Sequence, residues 1–443
     1  MVLASTDIAV RGRLGVDPPM ADLADYRSRG GGQAIRIARQ LGAAGVIDQL
    51  TASGLQGRGG GAFVVGHKWR SVADHACPTR FVVANAAEGE PGTFKDRWLL
   101  QRNPYQVLEG LAVAALTIGA SRAFLAVKAT FHPALAAVRA ALADLNTAGL
   151  LGEVNIEIIT GPEDYLFGEE KAMLEVIEDR QPLPRILPPY QVGLFASRGS
   201  PNPTVVNNVE TMAHVVTILT QGPDAFRQAG TATCPGTMLF TVCGDVSQPG
   251  VFELPLGTSL RTLLFDHAGG PLPGRHFQAV FPGASCGVVP AAAIDVALDF
   301  DHLAQIGSAL GSAGFVVYDD TACVVGATAA FSRFLARESC AQCPACQQGT
   351  LALTELLDGV ESGQATLAEM DTIRSRCRSV TGGSRCGLPA GEAAVVSSAL
   401  DNFEGEFAEH VTTGGCPRPR QLQVPVLSSF DPASGQFSYA EIR

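Results

Sequence analysis

The sequence of 443 residues predicts an α/β layered domain, then a small α+β module, then a C-terminal bundle of helices. Three observations carry this prediction. From Gly54 to about Leu219, glycine loops alternate with short β-rich runs and longer helical stretches. After Gln221, Gly222 and Pro223 the texture shifts to short strands and glycine turns. From about Thr321 onward, apolar residues recur at spacings of three and four.

Taken in order, residues 1–35 carry a turn at Pro18 and Pro19 and the run Gly30 to Gly32, and form a loop-rich lead-in. Within the α/β domain, 36–230, strands are expected at Arg80 to Ala84, Ala123 to Lys128 and Val154 to Thr160. Helices are expected at Pro104 to Ile118, Pro133 to Leu145 and Leu166 to Glu178. The module at 231–320 has strands at Thr237 to Cys243, Gly250 to Leu254 and Phe315 to Tyr318, with helical spacing at Thr258 to His267. The segment 321–418 offers four helices, Cys323 to Arg337, Gln347 to Val360, Ala365 to Arg376 and Ala390 to His410, whose short connections suggest a bundle. Residues 419–443, rich in Pro, Gly and Ser, form an irregular tail.

Composition narrows the function. An apolar content of 46% supplies several cores, and 32 Lys+Arg against 43 Asp+Glu leave a net charge of −11, which repels nucleic acid. The most apolar stretch, Val107 to Val127, is interrupted by Glu109, Ser121 and Arg122, so no membrane insertion is expected. Met1 to Ile8 lack the pattern of a secretory signal, and a cytoplasmic chain fits both features.

The 11 cysteines suit metal or cluster chemistry better than a disulfide framework. Cys340, Cys343 and Cys346 stand two residues apart on a tight loop, a spacing that lets three thiolates converge on one 4Fe-4S cluster. Cys386, in a turn leading into the last helix, is the expected fourth ligand, with Cys377 as its competitor. Structural zinc on the same residues and three incidentally adjacent buried thiols are the plainer alternatives. The cysteines at 77, 234, 243, 286, 323 and 416 are isolated and read as core or incidental.

Gly57, Gly59, Gly60 and Gly61 around Arg58 form a loop that either cradles a phosphate, with Lys68 as counter-charge, or is a flexible turn. Asn85 to Thr93, with Glu88 and Glu90, directly follows a strand, where an α/β sheet collects ligands. Those two carboxylates are otherwise solvated loop groups. Gly168, Glu169 and Glu170 open a helix, where acids favour the N-terminal dipole without further function, and Asn207 and Asn208 serve equally as a helix cap.

In this order these segments resemble the flavin-carrying, NADH-oxidising subunit of respiratory complex I and its relatives in NAD-linked hydrogenases and formate dehydrogenases. The resemblance runs from about Asp22 to His410 and rests on residues 57–63, 66–69, 85–97, 168–170, 188–190, 204–211 and 338–340. It implies an α/β FMN-binding domain, a ubiquitin-like β-grasp module of the soluble-ligand-binding kind and a four-helix bundle holding the 4Fe-4S cluster. Gly57, Arg58, Gly59, Gly60 and Lys68 would surround the FMN phosphate and ribityl chain, completed by Asn85, Glu88, Gly168, Glu169, Asn207 and Asn208. Phe63, Glu90, Glu170 and Tyr190 would line the NAD(H) pocket, Glu90 and Glu170 as its catalytic carboxylates. A thioredoxin-like 2Fe-2S subunit and further subunits of an oxidoreductase complex are the implied partners, through which the chain would lie peripheral to the inner membrane.

The chain departs from the family pattern at definite places. Ala87 stands where an aspartate is usual, Leu187 where a lysine is usual, Tyr190 for phenylalanine and Ser71 for an aromatic residue. Val64 and Val65 replace Pro-Thr, residues 161–167 depart from a small-residue pattern, and Pro344, Ala345 and Gln347 alter the cluster loop. Two functions follow: an FMN and 4Fe-4S subunit passing electrons between NAD(H) and iron–sulfur carriers, or a relay or scaffold subunit of the same fold without nucleotide binding.

Overall fold

The structure, a computed structural model, describes residues 13–418, 420 and 422–440. The first twelve residues of the expected lead-in, including those on which the signal reading rests, lie outside the described residues, as do Pro419, Gln421 and Glu441 to Arg443 of the tail. The chain forms two compact units: one of Met1–Gly89, Lys95–Leu239 and Glu253–Gly257, the other of Glu90–Phe94, Phe240–Phe252 and Thr258–Arg443.

The first unit is built on four parallel strands: β1 (Phe81–Ala86), β2 (Arg122–Lys128), β3 (Asn155–Gly161) and β4 (Thr204–Asn208), in the order β3-β2-β1-β4. The expected strands are present with small shifts at their ends. Helix Pro104–Ile118 is apolar almost all round and buried accordingly. Its buried Glu109 is satisfied by the Tyr26 hydroxyl at 2.5 Å and by the Gly32 and Ile35 amides at 2.7 and 3.1 Å. That carboxylate therefore caps helix Gln33–Ser53.

The lead-in needs correction, because it holds helix Leu23–Ser28 and the start of Gln33–Ser53. Asp22 caps the short helix by accepting from the Asp25 amide, and Tyr26 stacks on Tyr105 with ring centroids 5.4 Å apart. The expected helix from Leu166 to Glu178 divides into a 3₁₀ turn, Tyr165–Gly168, and helix Glu170–Ile177. Glu169 leaves helical geometry and caps the second piece through the Lys171 and Ala172 amides, each at 3.0 Å.

In the second unit five strands lie in the order β6-β5-β9-β7-β8: β5 (Thr237–Gly244), β6 (Gly250–Pro255), β7 (Phe277–Phe281), β8 (Val289–Pro290) and β9 (Gly314–Asp319). Thr237–Leu239 and Glu253–Pro255 count with the first unit. β5 and β9 run parallel, while β7 is antiparallel to both β9 and β8. Helices Val324–Arg337, Pro344–Glu361, Leu367–Ser379, Leu388–Asn402 and Glu404–Thr413 follow. The expected helix from Ala390 to His410 is thus two. Phe403 adopts φ −129° and ψ 30°, and Glu404 and Glu406 restart the helix where acids favour its dipole.

The expected irregular tail contains an antiparallel hairpin, β10 (Leu427–Asp431) with β11 (Gln436–Tyr439). Phe437 anchors it, meeting Phe430 at 4.5 Å and Phe94 at 5.7 Å between ring centroids. Among the described residues no helix is long and apolar enough to cross a membrane.

Candidate functional site

In the first unit β2 and β3 lie on one side of β1 and β4 on the other, so the strand order reverses between β1 and β4. In an open parallel sheet the carboxyl ends at such a reversal form a crevice that takes ligands. The register puts Ala84 beside Asn207 and Asn85 beside Asn208 at that edge.

Asn85 donates to the Gly168 carbonyl at 2.7 Å and accepts from the Ala87 amide at 3.0 Å, tying the turn after β1 to the 3₁₀ turn. A Cβ on Gly168 would stand 2.9 Å from the Ala87 carbonyl oxygen, so only glycine fits there. Asn207 accepts from the buried Trp69 indole at 2.9 Å. Asn208 caps helix Val209–Gln221 through the Glu210 amide at 2.9 Å and donates to Asp96 at 2.7 Å.

The glycine loop lies against the same asparagine. A Cβ on Gly59 would approach the Asn208 Cβ to 3.1 Å, Gly60 holds φ +103°, and a Cβ on Gly61 would meet nothing within 4 Å. Lys68 reaches the Val206 carbonyl at 2.8 Å and the Glu170 carboxylate at 2.9 Å, its side chain 15% exposed. Burial raises the Glu169 carboxyl, opposed by Lys171. Phe63 and Tyr190 are exposed, as is Leu187, where the resemblance expects lysine.

Arg58 and Glu88 have their polar atoms engaged within the protein as well. Arg58 is fully buried: its guanidinium donates to the carbonyls of Thr237, Pro235 and Gln56, and its amide to the Thr211 hydroxyl at 2.9 Å. Burial lowers its pKa to about 10, which still leaves it charged at neutral pH. Glu88 pairs with Arg97 at 2.8 Å and accepts from the Asp96 amide at 3.0 Å, holding the first turn of helix Lys95–Arg102.

Beneath the edge lies a buried charge cluster that escapes prediction, since nothing in a Lys-Asp pair or in Val-Glu-Thr announces burial. Lys95 contacts Asp96 at 2.7 Å and Glu210 at 2.8 Å, and none of the three side chains is more than 7% exposed. Desolvation opposes the charges, but Lys95 and His214 outweigh it at Glu210 and bring that carboxyl to about 2. Desolvation dominates at Asp96, raising it to about 6. The only sequence signal is position: Lys95 and Asp96 follow directly on the loop after β1.

Glu90 belongs to the second unit, whereas Glu170 belongs to the first. The Glu90 carboxylate accepts from the Ala284 amide at 2.7 Å and the Ser285 hydroxyl at 3.0 Å.

The predicted cluster ligands also lie in the second unit. Cys343 and Cys346 are buried, while Cys340 and Cys386 are partly exposed. Cys343 sits at the start of helix Pro344–Glu361, whose N-terminal dipole favours thiolate charge. Gln342 donates to Cys340 at 3.5 Å, and Arg385 donates to the Gln342 carbonyl oxygen at 2.9 Å, joining the loop of Cys386 to that of the triple cysteine. Cys377 instead lies inside helix Leu367–Ser379, bonded to Ser397. Among the described residues, Cys323, His410 and Cys416 are the one group of three or more metal-ligating side chains within 4.8 Å of one another, so the four cysteines are not gathered as for a mononuclear ion. A four-iron cluster takes such a wider set of thiolates.

The chain matches the Nuo51 FMN-binding domain over residues 50–217, the SLBB domain over 239–288 and the NADH-ubiquinone oxidoreductase-F iron-sulfur binding region over 326–410. It is 39% identical over 407 residues to the second F-type subunit of the NADH-quinone oxidoreductase of Rhizobium meliloti, covering 89% of this chain and 96% of that protein. The F-type subunit of the Streptomyces coelicolor enzyme is 36% identical over 403 residues, with 88% of each chain covered. A crystal structure of an NAD+-reducing [NiFe]-hydrogenase superposes with a TM-score of 0.77 at 32% identity, over 86% of this chain. The match spans 64% of the hydrogenase chain. The chain therefore belongs to the family of F-type subunits of NADH-quinone oxidoreductase, and carries that family's FMN-binding domain, SLBB domain and 4Fe-4S region.

Proposed function

We propose that the reversal point between β1 and β4 holds FMN and that the nicotinamide ring of NADH approaches it from the side of Phe63 and Tyr190. The observation that carries this is the convergence there of Asn85, Asn207, Asn208 and a glycine loop open at Gly61. As a member of its family the chain is an electron-transfer subunit of the NADH dehydrogenase type, linking NADH to iron–sulfur carriers. FMN, when bound, supplies a carrier that takes a hydride and gives up electrons singly.

The protein's part is to bind and orient. Lys68 sets positive charge beside β4 for the flavin phosphate, with the amides of Gly59 to Gly61 as donors. Arg58, Glu88 and Asn85 fix the surrounding backbone, while Gly168 and Glu169 shape the facing turn. Glu170, paired with Lys68, is the carboxylate of the first unit assigned to the nucleotide, and Glu90 is the one that the resemblance assigns from the second unit. Cys340, Cys343, Cys346 and Cys386 take the 4Fe-4S cluster.

The domain limits that fit this reading are 36–230, 231–320 and 321–418, flanked by the lead-in and the tail. The mixed five-stranded sheet supports a β-grasp module, and the four longer helices after it support a four-helix bundle. A thioredoxin-like 2Fe-2S subunit would accept the electrons, with the assembly peripheral to the membrane.

A second reading, a relay subunit without nucleotide binding, is favoured by one observation: Leu187 is 48% exposed where the family carries lysine. Anaerobic titration of the flavin-loaded chain with NADH separates the two. Stoichiometric bleaching of the flavin is expected; an unchanged spectrum that dithionite still bleaches would sink the enzyme reading and leave the relay.

A further inference from the structure

Cys323 and His410 are 87 residues apart in sequence, yet their Sγ and Nε2 atoms stand 3.1 Å apart, and both side chains are buried. With the Cys416 sulfur, the three ligand atoms lie within 4.8 Å of one another. The flavin and cluster chemistry described above uses none of the three.

His410 Nδ1 lies 2.7 Å from the Glu406 carbonyl, which can only accept, so the ring proton resides on Nδ1. Nε2 is then left with its lone pair aimed at the two sulfurs, the arrangement by which a backbone carbonyl orients a metal-binding imidazole. Cys323 caps helix Val324–Arg337, its sulfur accepting from the Gly326 amide at 3.2 Å, which favours thiolate charge there. The Cys416 thiol donates to the Arg418 carbonyl at 3.1 Å.

We infer that Cys323, His410 and Cys416 form a mononuclear site for a thiophilic divalent cation, zinc above all, with its fourth position open to a solvent molecule. Two thiolates and one imidazole make a donor set that zinc favours. With bonds of about 2.3 Å to sulfur and about 2.0 Å to nitrogen, a tetrahedral ion spaces its ligands roughly 3.5 Å apart, within the span seen here. Burial raises the Cys323 thiol, against the Gly326 amide that lowers it. Loading releases one proton from each thiol as the two Zn–S bonds form, and nothing is oxidised. The ion would staple the residues after helix Glu404–Thr413 to the start of helix Val324–Arg337, a closure of long sequence separation.

The test is elemental analysis of the intact flavin- and iron-loaded chain after exhaustive dialysis against EDTA, with zinc and iron read from the same sample. One zinc per chain is expected, alongside unchanged cluster iron. Cys323→Ser and Cys416→Ser should each lose the zinc and keep the iron, and His410→Cys should retain zinc where His410→Ala loses it. Where a variant fails to fold, growth of the unaltered chain on cobalt supplies the second measurement, a thiolate-to-cobalt charge-transfer band. The proposal is overturned by no zinc or cobalt beyond trace in the unaltered chain, or by zinc undiminished in Cys323→Ser and Cys416→Ser. A mass two hydrogens short with no zinc, marking a Cys323–Cys416 disulfide, overturns it as well.

Discussion

The two predicted sites of this chain are built on opposite principles. At the strand reversal of the first unit, Asn85, Glu88, Asn207, Asn208 and Arg58 already hold a backbone group, a neighbouring carboxylate or a buried indole. At the cysteine loops of the second unit, Gln342 lies 3.5 Å from the Cys340 sulfur and Ser339 3.5 Å from that of Cys346. The first site is a preorganised frame on which a ligand adds many small contacts. The second offers thiolates that bond iron directly. Loss of a single group should therefore act by degrees in the first and all at once in the second.

The largest effect is expected at the cysteines. Cys386→Ser should abolish the reduced-cluster EPR signal and the cluster iron while flavin remains; cluster retention in this variant, with loss in Cys377→Ser, would move the fourth ligand. Next comes the buried charge cluster of the first unit. Lys95→Met leaves Asp96 and Glu210 buried without their cation, and should cost about 3–5 kcal/mol in denaturant unfolding. A loss below about 1 kcal/mol would mean that water reaches these groups.

Lys68→Met tests the graded character of the frame. Removal of one charged contact of about 1.5–3 kcal/mol should weaken flavin binding roughly tenfold to a hundredfold, measured by fluorescence quenching on titrating FMN into apoprotein. Complete loss of binding would show that the site depends on a single group after all.

The smallest effect concerns pH. Burial raises Glu253 to about 7, against the hydrogen bonds from Thr237 and Leu14 that lower it. In the unfolded chain this carboxyl releases its proton near 4.5, so between about 4.5 and 7 the folded state binds more protons and stability falls as pH rises. The slope from this group is about 1 kcal/mol per pH unit in that window. Glu253→Gln should flatten it, and an unchanged slope in pH-dependent denaturation would remove the assignment.

Legibility follows sequence distance. The triple cysteine, the glycine loop and the strands at residues 81–86 and 122–128 announce themselves because spacing and alternation are local properties. The helix cap at Asn208 and the acids at Glu169 and Glu170 are legible only as alternatives, and the caps are present, which neither removes nor requires a ligand. The break at Phe403 carries no local signal, and the hairpin anchored by Phe437 depends on what that ring packs against.

The order of the segments, the family and the chemistry on offer all follow from the sequence, because hydrophobic period, glycine placement and thiol spacing act over a few residues. Folding in three dimensions sets where strand order reverses, turns the Arg58 guanidinium inward and brings Lys95 to Glu210. It alone brings Cys323, His410 and Cys416 together. Those are pairings between distant positions, set by chain closure and burial, and no local pattern encodes them.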